Sequence, residues 1–459
     1  MSLYVLILAA GRGTRTATST PKVMLPLAGI ALLERVYNTA RSLSPSGMGI
    51  VYSPDIPAIK NTFQQFSVDW IVQDQPLGTG HAVEQAIPFF SNCKKVLILY
   101  ADVPLVSSDV LRQLVSKTDQ SELSLLTTYT DQPEGLGRII RDDQLNILAV
   151  VEDKDATDQQ RTIHEVNTGM LCCRTDLLKQ FIPQLENTNQ QQEYYLTDII
   201  AHAAESDYSI DTVCLSEPQS VQGVNDLLQL AKAERWYQSK QMAQWARKGV
   251  RFYDPARVDI RGDQVTLAPD VVVDINVILQ GKTDIAAGAS IGAHSVLTDV
   301  TIGEGVIVHP HSIIEGAVLS ANSVVGPFAR IRPGTVIAAG VKVGNFVEIK
   351  NTYIGSHSKV SHLSYLGDAQ IGKNVNIGAG TITCNYDGVN KWESVIDDGA
   401  FIGSNTALIA PVKIGQDAMI AAGSVITVSA PEKSLTIARA RQCTVQKWKR
   451  PLKKARKEK

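Results

Sequence analysis

The sequence predicts an α/β domain followed by an all-β solenoid of parallel coils, and three observations carry that reading. Apolar runs such as "LYVLILAA", "GIVYS", "VLILYADVP" and "LSLLTTY" alternate with helical stretches up to about Asn225. A segment without glycine or proline follows. Beyond Gly249 an aliphatic residue returns every five or six positions.

The first region reads as a mostly parallel, Rossmann-like sheet, because its strands are bounded by small or turn residues and separated by amphipathic segments. Ligands of such sheets gather at the strand C-termini.

From Asp226 to Lys248 the text "DLLQLAKAERWYQSKQMAQWARK" puts Leu227, Leu230, Ala231, Glu234, Trp236 and Tyr237 at helical spacing. Asp226 at its start and Arg247, Lys248 and Gly249 at its end are favourable helix punctuation. The segment is either a connecting helix or the last helix of the first domain. The expected domains are therefore 1–225, a linker helix over 226–249, and 250–459.

In the third region Val325, Ile331, Ile337, Val343 and Ile349 are six apart. After one five-residue step come Ile354, Val360 and Leu366, and after another Ile371 and Ile377; Ile402, Leu408, Ile414, Ile420 and Ile426 resume the six. A helix needs a mean period near 3.6. A six-residue unit instead fits a short strand plus a corner, three units closing one coil of a triangular prism. The aliphatic at position one fills the interior, and position five (Ser295, Val306, Ser358, Val375, Thr406, Ala418, Ser424) packs near the corner. Across Thr383 to Ala400, "TCNYDGVNKWESVIDDGA", the beat is lost. This stretch reads as a loop extruded from the prism, either a site-building loop or a tolerated insertion.

Composition narrows the class. A chain of 459 residues exceeds what one core usually organises. With 44% hydrophobic and 20% charged residues and a formal net charge of -2, it shows no global preference for nucleic acid or an anionic membrane. Its six cysteines include the adjacent Cys172 and Cys173, which cannot bridge each other without strain. No CxxC or HExxH spacing supports zinc. No apolar run is long enough to span a bilayer and no basic flank precedes "LYVLILAAG", so a soluble, cytoplasmic chain is expected. The basic end, "QKWKRPLKKARKEK", reads as a solvated tail.

Chemistry concentrates at two places. "LAAGRGTR" follows the first strand, where Gly11 and Gly13 let backbone amides face an anion and Arg12, Arg15 and Lys22 supply charge. It is neither a dinucleotide fingerprint, since Thr16 stands at the third glycine, nor a P-loop. Asp102 lies just past "VLILY", where an aspartate either holds a magnesium ion bridging phosphates or caps the next turn. In the prism, Arg332 and Lys350 each follow a position-one aliphatic one coil apart, so they stack and call for an anion between them. Ser404 and Ala422 share that relation and form a strip of small residues. His362 is either a general base, because imidazole titrates near working pH, or an ordinary surface histidine of a solenoid. His294, His309, His311 and His357 read as surface residues.

In order along the chain, "LAAGRGTR", "PKVMLPL", "QPLGTGHA", "YADVPL", "GLGRII", "VVEDKDA", "EVNTG", "EYYLTDII", "GVNDL", then "FARIRPG", "NFVEIKN", "HLSYLGDA", "NIGAGTITCNYDG" and "APVKIG", closely resemble the bacterial bifunctional N-acetylglucosamine-1-phosphate uridylyltransferase and glucosamine-1-phosphate acetyltransferase. The resemblance covers essentially the whole chain. It implies a left-handed parallel β-helix of hexapeptide repeats behind the nucleotidyltransferase domain, and a homotrimer with acetyl-transfer sites shared between subunits. It also implies UTP and acetyl-CoA as co-substrates, Mg2+ as cofactor, glucosamine 1-phosphate and N-acetylglucosamine 1-phosphate as substrates, and no nucleic-acid or membrane partner.

By the same resemblance, Leu8, Ala9, Ala10, Gly11 and Lys22 contact the nucleotide, Gln73, Gly78 and Thr79 select uridine, and Tyr100, Ala101 and Asp102 form the acidic strand end. Asp102 and Asn225 hold Mg2+, and Gly137, Glu152, Asn167 and Asn225 the sugar phosphate. Lys22 and Arg15 neutralise charge during transfer. Arg332, Lys350, Tyr365, Asn376 and Lys391 bind glucosamine 1-phosphate, His362 is the base, and Asn385, Tyr386, Ser404, Ala422 and Arg439 meet acetyl-CoA. Two departures stand out: Ala101 where a glycine is expected and Thr16 where methionine is common. The rival reading is a sugar nucleotidyltransferase whose β-helix serves only assembly or regulation, as in the ADP-glucose pyrophosphorylase type.

Overall fold

The structure, a computed structural model, describes residues 2–11 and 18–452. The chain divides into two compact units after Gln241.

In the first unit the sheet runs Ile210–Leu215, Leu123–Tyr129, Glu165–Arg174, Lys95–Tyr100, Leu3–Leu8, Gly47–Tyr52, Asp69–Val72 in spatial order. All neighbours are parallel except Glu165–Arg174, which is antiparallel to both of its own. The hairpin Arg138–Arg141 with Ile147–Val151 joins through the pair Val166 and Arg138. "LYVLIL" is continuously apolar because both faces are covered. Leu6 and Leu8 pack with Ala82, Val83 and Ile199 on one side, and Val5 and Ile7 with Leu33, Val36 and Leu111 on the other.

One helix spans Leu227–Arg247. Its early turns belong to the first unit: Leu230, Ala233 and Tyr237 cover Leu27, Leu32 and Val224, and the Arg35 guanidinium lies 4.3 Å over the Tyr237 ring. Met242 and Trp245 belong to the core of the second unit.

That second unit is a parallel β-helix. Three inward columns rise through it: Val325, Val343, Val360, Ile377, Ile402, Ile420; Ile331, Ile349, Leu366, Thr383, Leu408, Ile426; and Ile337, Ile354, Ile371, Ile396, Ile414. Each of these residues is buried, which is the predicted beat realised as a filled prism. Thr383 interrupts its column with a hydroxyl, which accepts from Gly367 N at 2.7 Å and donates to Gly367 O at 3.1 Å, so no polar atom is left orphaned. The position-five residues Ser295, Val306, Ser358, Val375, Thr406, Ala418 and Ser424 are all buried.

The break in the beat is shorter than expected. Ser394–Ile396 is already a strand paired with Tyr365–Ile371 and Val412–Ile414, so the excursion is confined to the residues between Cys384 and Ser394. Polar residues at 393, 397 and 398 disguised the returning Ile396. One prism corner also explains two histidines. His294, His311, Phe328 and Phe346 each take a left-handed backbone at the same corner of successive coils, and their rings stack with centroids 4.8, 4.8 and 5.3 Å apart.

Candidate active sites

The C-terminal ends of Leu3–Leu8 and Lys95–Tyr100 open onto a cleft of about 260 Å³. Leu8, Ala9, Ala10, Gly11, Lys22 and Gln73 line it together with Gly78, Thr79, Tyr100 and Asp102. Arg12, Gly13, Arg15 and Thr16 lie outside the described residues. Lys22 Nζ donates to Asp102 Oδ2 at 2.5 Å and to Asn225 Oδ1 at 3.3 Å. Two backbone constraints hold that geometry: Val224 N donates to Asp102 O at 2.8 Å, and Asn225 N to Gln229 Oε1 at 2.6 Å.

The opposite wall is built on a glycine. Gly78 has φ +109, and a Cβ there would meet Tyr194 O at 2.6 Å, so only glycine lets the chain pass. Gln73 Nε2 donates to Gly78 O at 3.0 Å, and Thr79 Oγ1 accepts from Leu196 N at 3.0 Å. His81, which sequence reasoning passed over, lies 3.0 Å from Gln73 Nε2 through Nδ1.

Ala101 lies beneath the cleft. It is fully buried in the apolar cluster beneath the sheet and its side chain does not line the cleft. Its amide instead bonds Leu8 O at 3.0 Å, splicing the two strand ends together.

Gly137, Glu152 and Asn167 form a separate group that does not line this cleft. Asn167 N donates to Gly137 O at 2.8 Å, and a Cβ on Gly137 would lie 3.5 Å from Glu152 Oε1. Burial pushes the Glu152 carboxyl up, opposed by Thr197, which donates at 3.1 Å. Burial, then Glu152 and Asp102, push the Tyr100 phenol up as well. The carboxamide oxygen of Asn167 is buried without a partner among the described residues.

On the prism, Arg332 and Lys350 stack as expected, since Ile331 pairs with Ile349 and Arg332 N bonds Ile349 O at 2.8 Å. The anion beside Arg332, however, is the Glu348 carboxylate, 2.8 Å from Nη1. Lys350 is surrounded by charge: Lys391 first, then Arg332, hold its ammonium below the usual range, while Asp368 opposes them. Burial works against the Asp368 carboxylate, yet Asn351, Asn385 and the two lysines hold its pKa down. Asn385 Nδ2 donates to Asp368 Oδ2 at 2.5 Å, and Asn351 Nδ2 to Oδ1 at 2.6 Å. Asp368 was not singled out from sequence, although it sits one register step past Lys350's partner Gly367.

Tyr365 packs its hydroxyl over Gly367, beside Asn385. Asn376 sits on the face that carries His362, paired with Lys359 and Phe401. Tyr386 is 61% exposed on the excursion, its hydroxyl donating to Gly388 O at 2.5 Å. That excursion is braced by Asp387, which Trp392 Nε1 at 2.7 Å and the amides of Asn390 and Val389 hold at about 2. Ser404 and Ala422 lie one coil apart, Gly423 N bonding Ser404 O at 2.8 Å, and Arg439 Nη1 reaches Ala422 O at 2.7 Å. No hydrogen bond among the described residues links this strip to His362 or Lys350. His362 is exposed, with Nδ1 2.8 Å from Asn345 Oδ1.

A strand-end cleft lined by Lys22, Gln73 and Asp102, joined in one chain to a coil of six-residue units, defines a nucleotidyltransferase coupled to a hexapeptide-repeat β-helix. Residues 5–191 match the MobA-like NTP transferase domain, 261–366 the GMPPB C-terminal domain, and 393–427 the bacterial transferase hexapeptide (six repeats). Among its relatives, the chain is similar to "Bifunctional protein GlmU" of Marinobacter nauticus (47% identical, covering 98% of this chain and 99% of that one). It is likewise similar to the protein of that name from Coxiella burnetii (51%, covering 99% and 100%) and from Methylococcus capsulatus (49%, covering 100% and 99%). The chain belongs to the bifunctional GlmU family.

Proposed function

We propose that this protein acetylates glucosamine 1-phosphate with acetyl-CoA in its β-helix unit and then joins the product to UMP from UTP in its first unit, releasing pyrophosphate. The observation that carries the reading is the Lys22 ammonium standing between the Asp102 and Asn225 oxygens at the cleft mouth. A cation already rests where phosphate chemistry needs one.

That donor set fits a magnesium ion. One carboxylate and one amide oxygen are hard ligands, and Mg2+ takes few protein ligands because water and phosphate complete its shell. No group of three or more His, Cys, Asp and Glu residues able to hold a metal occurs among the described residues, which suits a metal completed by substrate rather than caged by protein. Asp102 and Asn225 would hold it, and when bound it supplies charge neutralisation on the phosphates.

In uridylyl transfer a sugar phosphate oxygen attacks the α-phosphorus of UTP, forming the new P–O bond as the bond to pyrophosphate breaks. That oxygen is already anionic, so no general base is required. Lys22, with Arg15, offsets the charge that builds up, while Gln73, Gly78 and Thr79 orient the nucleotide base. The buried oxygen of Asn167, without a partner among the described residues, and the carboxyl of Glu152 suit sugar hydroxyl and amide groups.

In acetyl transfer the amine nitrogen attacks the thioester carbonyl. The C–N bond forms, the C–S bond breaks, an amine proton passes to His362, and coenzyme A leaves as its thiolate. Arg332, Lys350 and Lys391 hold the phosphate, which relieves their mutual repulsion. The Ser404, Ala422 and Arg439 strip binds acetyl-CoA, and in a homotrimer with shared acetyl-transfer sites it would bring the thioester to the His362 of another subunit. Domain limits of 1–225, 226–249 and 250–459 fit this division of labour.

The test supplies glucosamine 1-phosphate, acetyl-CoA, UTP and Mg2+ and follows free thiol and pyrophosphate separately, with each component omitted in turn. His362→Ala is expected to lose acetyl transfer by at least about a hundredfold and keep uridylyl transfer. Unchanged thiol release in that variant would overturn the base assignment and favour a β-helix that serves only assembly or regulation.

A further inference from the structure

We propose that Asn345 is the positioning residue for His362, fixing the ring in the tautomer whose Nε2 is free to take the amine proton; this rests on His362 being the base. Asn345 ends the strand Lys342–Asn345, His362 ends the strand Lys359–His362, and the two are register partners on neighbouring coils. Leu363 N bonds Asn345 O at 3.1 Å, closing the ladder at that point. In-register residues of parallel strands point their side chains the same way, so the carboxamide lies directly against the imidazole.

The two coils lie close together at this level. A Cβ on Gly344 would collide with the Ser361 carbonyl, so glycine is what allows the close approach one residue before the pair. Immediately after the pair, Phe346 and Leu363 both turn through a left-handed corner, with φ of 56 and 50. Backbone geometry thus fixes the pair on both sides.

The rest of the column offers the ring no alternative partner. Phe346 N bonds Phe328 O and Gly380 N bonds Leu363 O, so the residues level with His362 on the flanking coils are Pro327, beyond Asn345, and Ala379. Neither side chain has a hydrogen-bonding group. Asn345 Oδ1 is 2.8 Å from Nδ1, and no other hydrogen bond reaches the ring among the described residues. A carbonyl oxygen only accepts, so Nδ1 carries the proton and Nε2 keeps its lone pair.

The experiment compares Asn345→Leu, which cannot accept, with Asn345→Asp, which only accepts when ionised, in the full-length chain, with His362→Ala beside them. Asn345→Leu is expected to lower kcat for acetyl transfer by about tenfold to a hundredfold, with KM for both substrates within about threefold and uridylyl transfer unchanged. Asn345→Asp is expected to restore most of that kcat. A loss carried mainly in KM, a leucine variant at wild-type kcat, or an aspartate variant as slow as the leucine one would each overturn the proposal. If instead His362→Ala keeps acetyl transfer, the base assignment itself falls. Should Asn345→Leu fail to fold, the 15N shifts of His362 in the wild-type protein decide: an Nδ1-protonated ring supports the proposal and an Nε2-protonated ring overturns it.

Discussion

Lys22 Nζ lies 2.5 Å from Asp102 Oδ2, so residues eighty positions apart in sequence form one charge pair at the cleft mouth. On the proposed reading the lysine turns to the substrate phosphates and leaves the carboxylate for a metal ion. Asp102→Ala is therefore expected to lower uridylyl transfer by at least about a hundredfold while sparing acetyl transfer. Pyrophosphate release measured beside thiol release checks it, and undiminished pyrophosphate release would remove Asp102 from the metal site.

Gly78 is required by conformation and by space. With φ +109 and Tyr194 O only 2.6 Å from a built Cβ, Gly78→Ala should cost about 1–3 kcal/mol. UTP affinity should fall with it, because Gln73 is held by the Gly78 carbonyl at 3.0 Å. Thermal unfolding and a UTP titration read both effects; an unchanged melting temperature would contradict the strain.

Ile349 fills the prism between Ile331 and Leu366 and is wholly buried. Ile349→Ala should destabilise the β-helix by about 2–5 kcal/mol. Because its neighbour Lys350 belongs to the cationic cluster, acetyl transfer should fall at temperatures where uridylyl transfer survives. Urea unfolding gives the size of the loss.

Burial, with Asp155 adding to it and His202 opposing, pushes the Asp198 carboxyl up to about 6 from an ordinary value of 3.8. The folded state therefore keeps a proton that the unfolded state has lost, and stability falls as pH rises between these two values. Asp198→Asn should raise stability by about 1–2 kcal/mol at pH 7 and change little near pH 4. Melting temperatures of both chains across that range test the sign; equal gains at both ends would refute it.

Much of the β-helix was legible because its period is a local property. An aliphatic at position one has a single place to go, so the columns through Ile331, Ile349 and Leu366 could be read without coordinates. The same counting stacks Arg332 with Lys350 and Ser404 with Ala422. It could also have found Asn345, which falls one coil before His362. Asp368 was harder to see, since its importance depends on the excursion between Cys384 and Ser394, where the period carries no information and Asn385 and Lys391 return by a route the beat does not describe.

In the first unit the glycine turn, Lys22 and Asp102 were visible as chemistry, but the burial of Ala101 and the company of Gly137, Glu152 and Asn167 were not. Hydrophobic period and turn residues by themselves determined the two architectures, because burial of apolar side chains acts residue by residue along the chain. Only the tertiary structure decided which polar groups meet outside that register: that Glu348 answers Arg332 and that Asp368 gathers Asn385. Hydrogen bonds and ion pairs depend on distances of a few tenths of an ångström between remote segments, and no linear pattern encodes them.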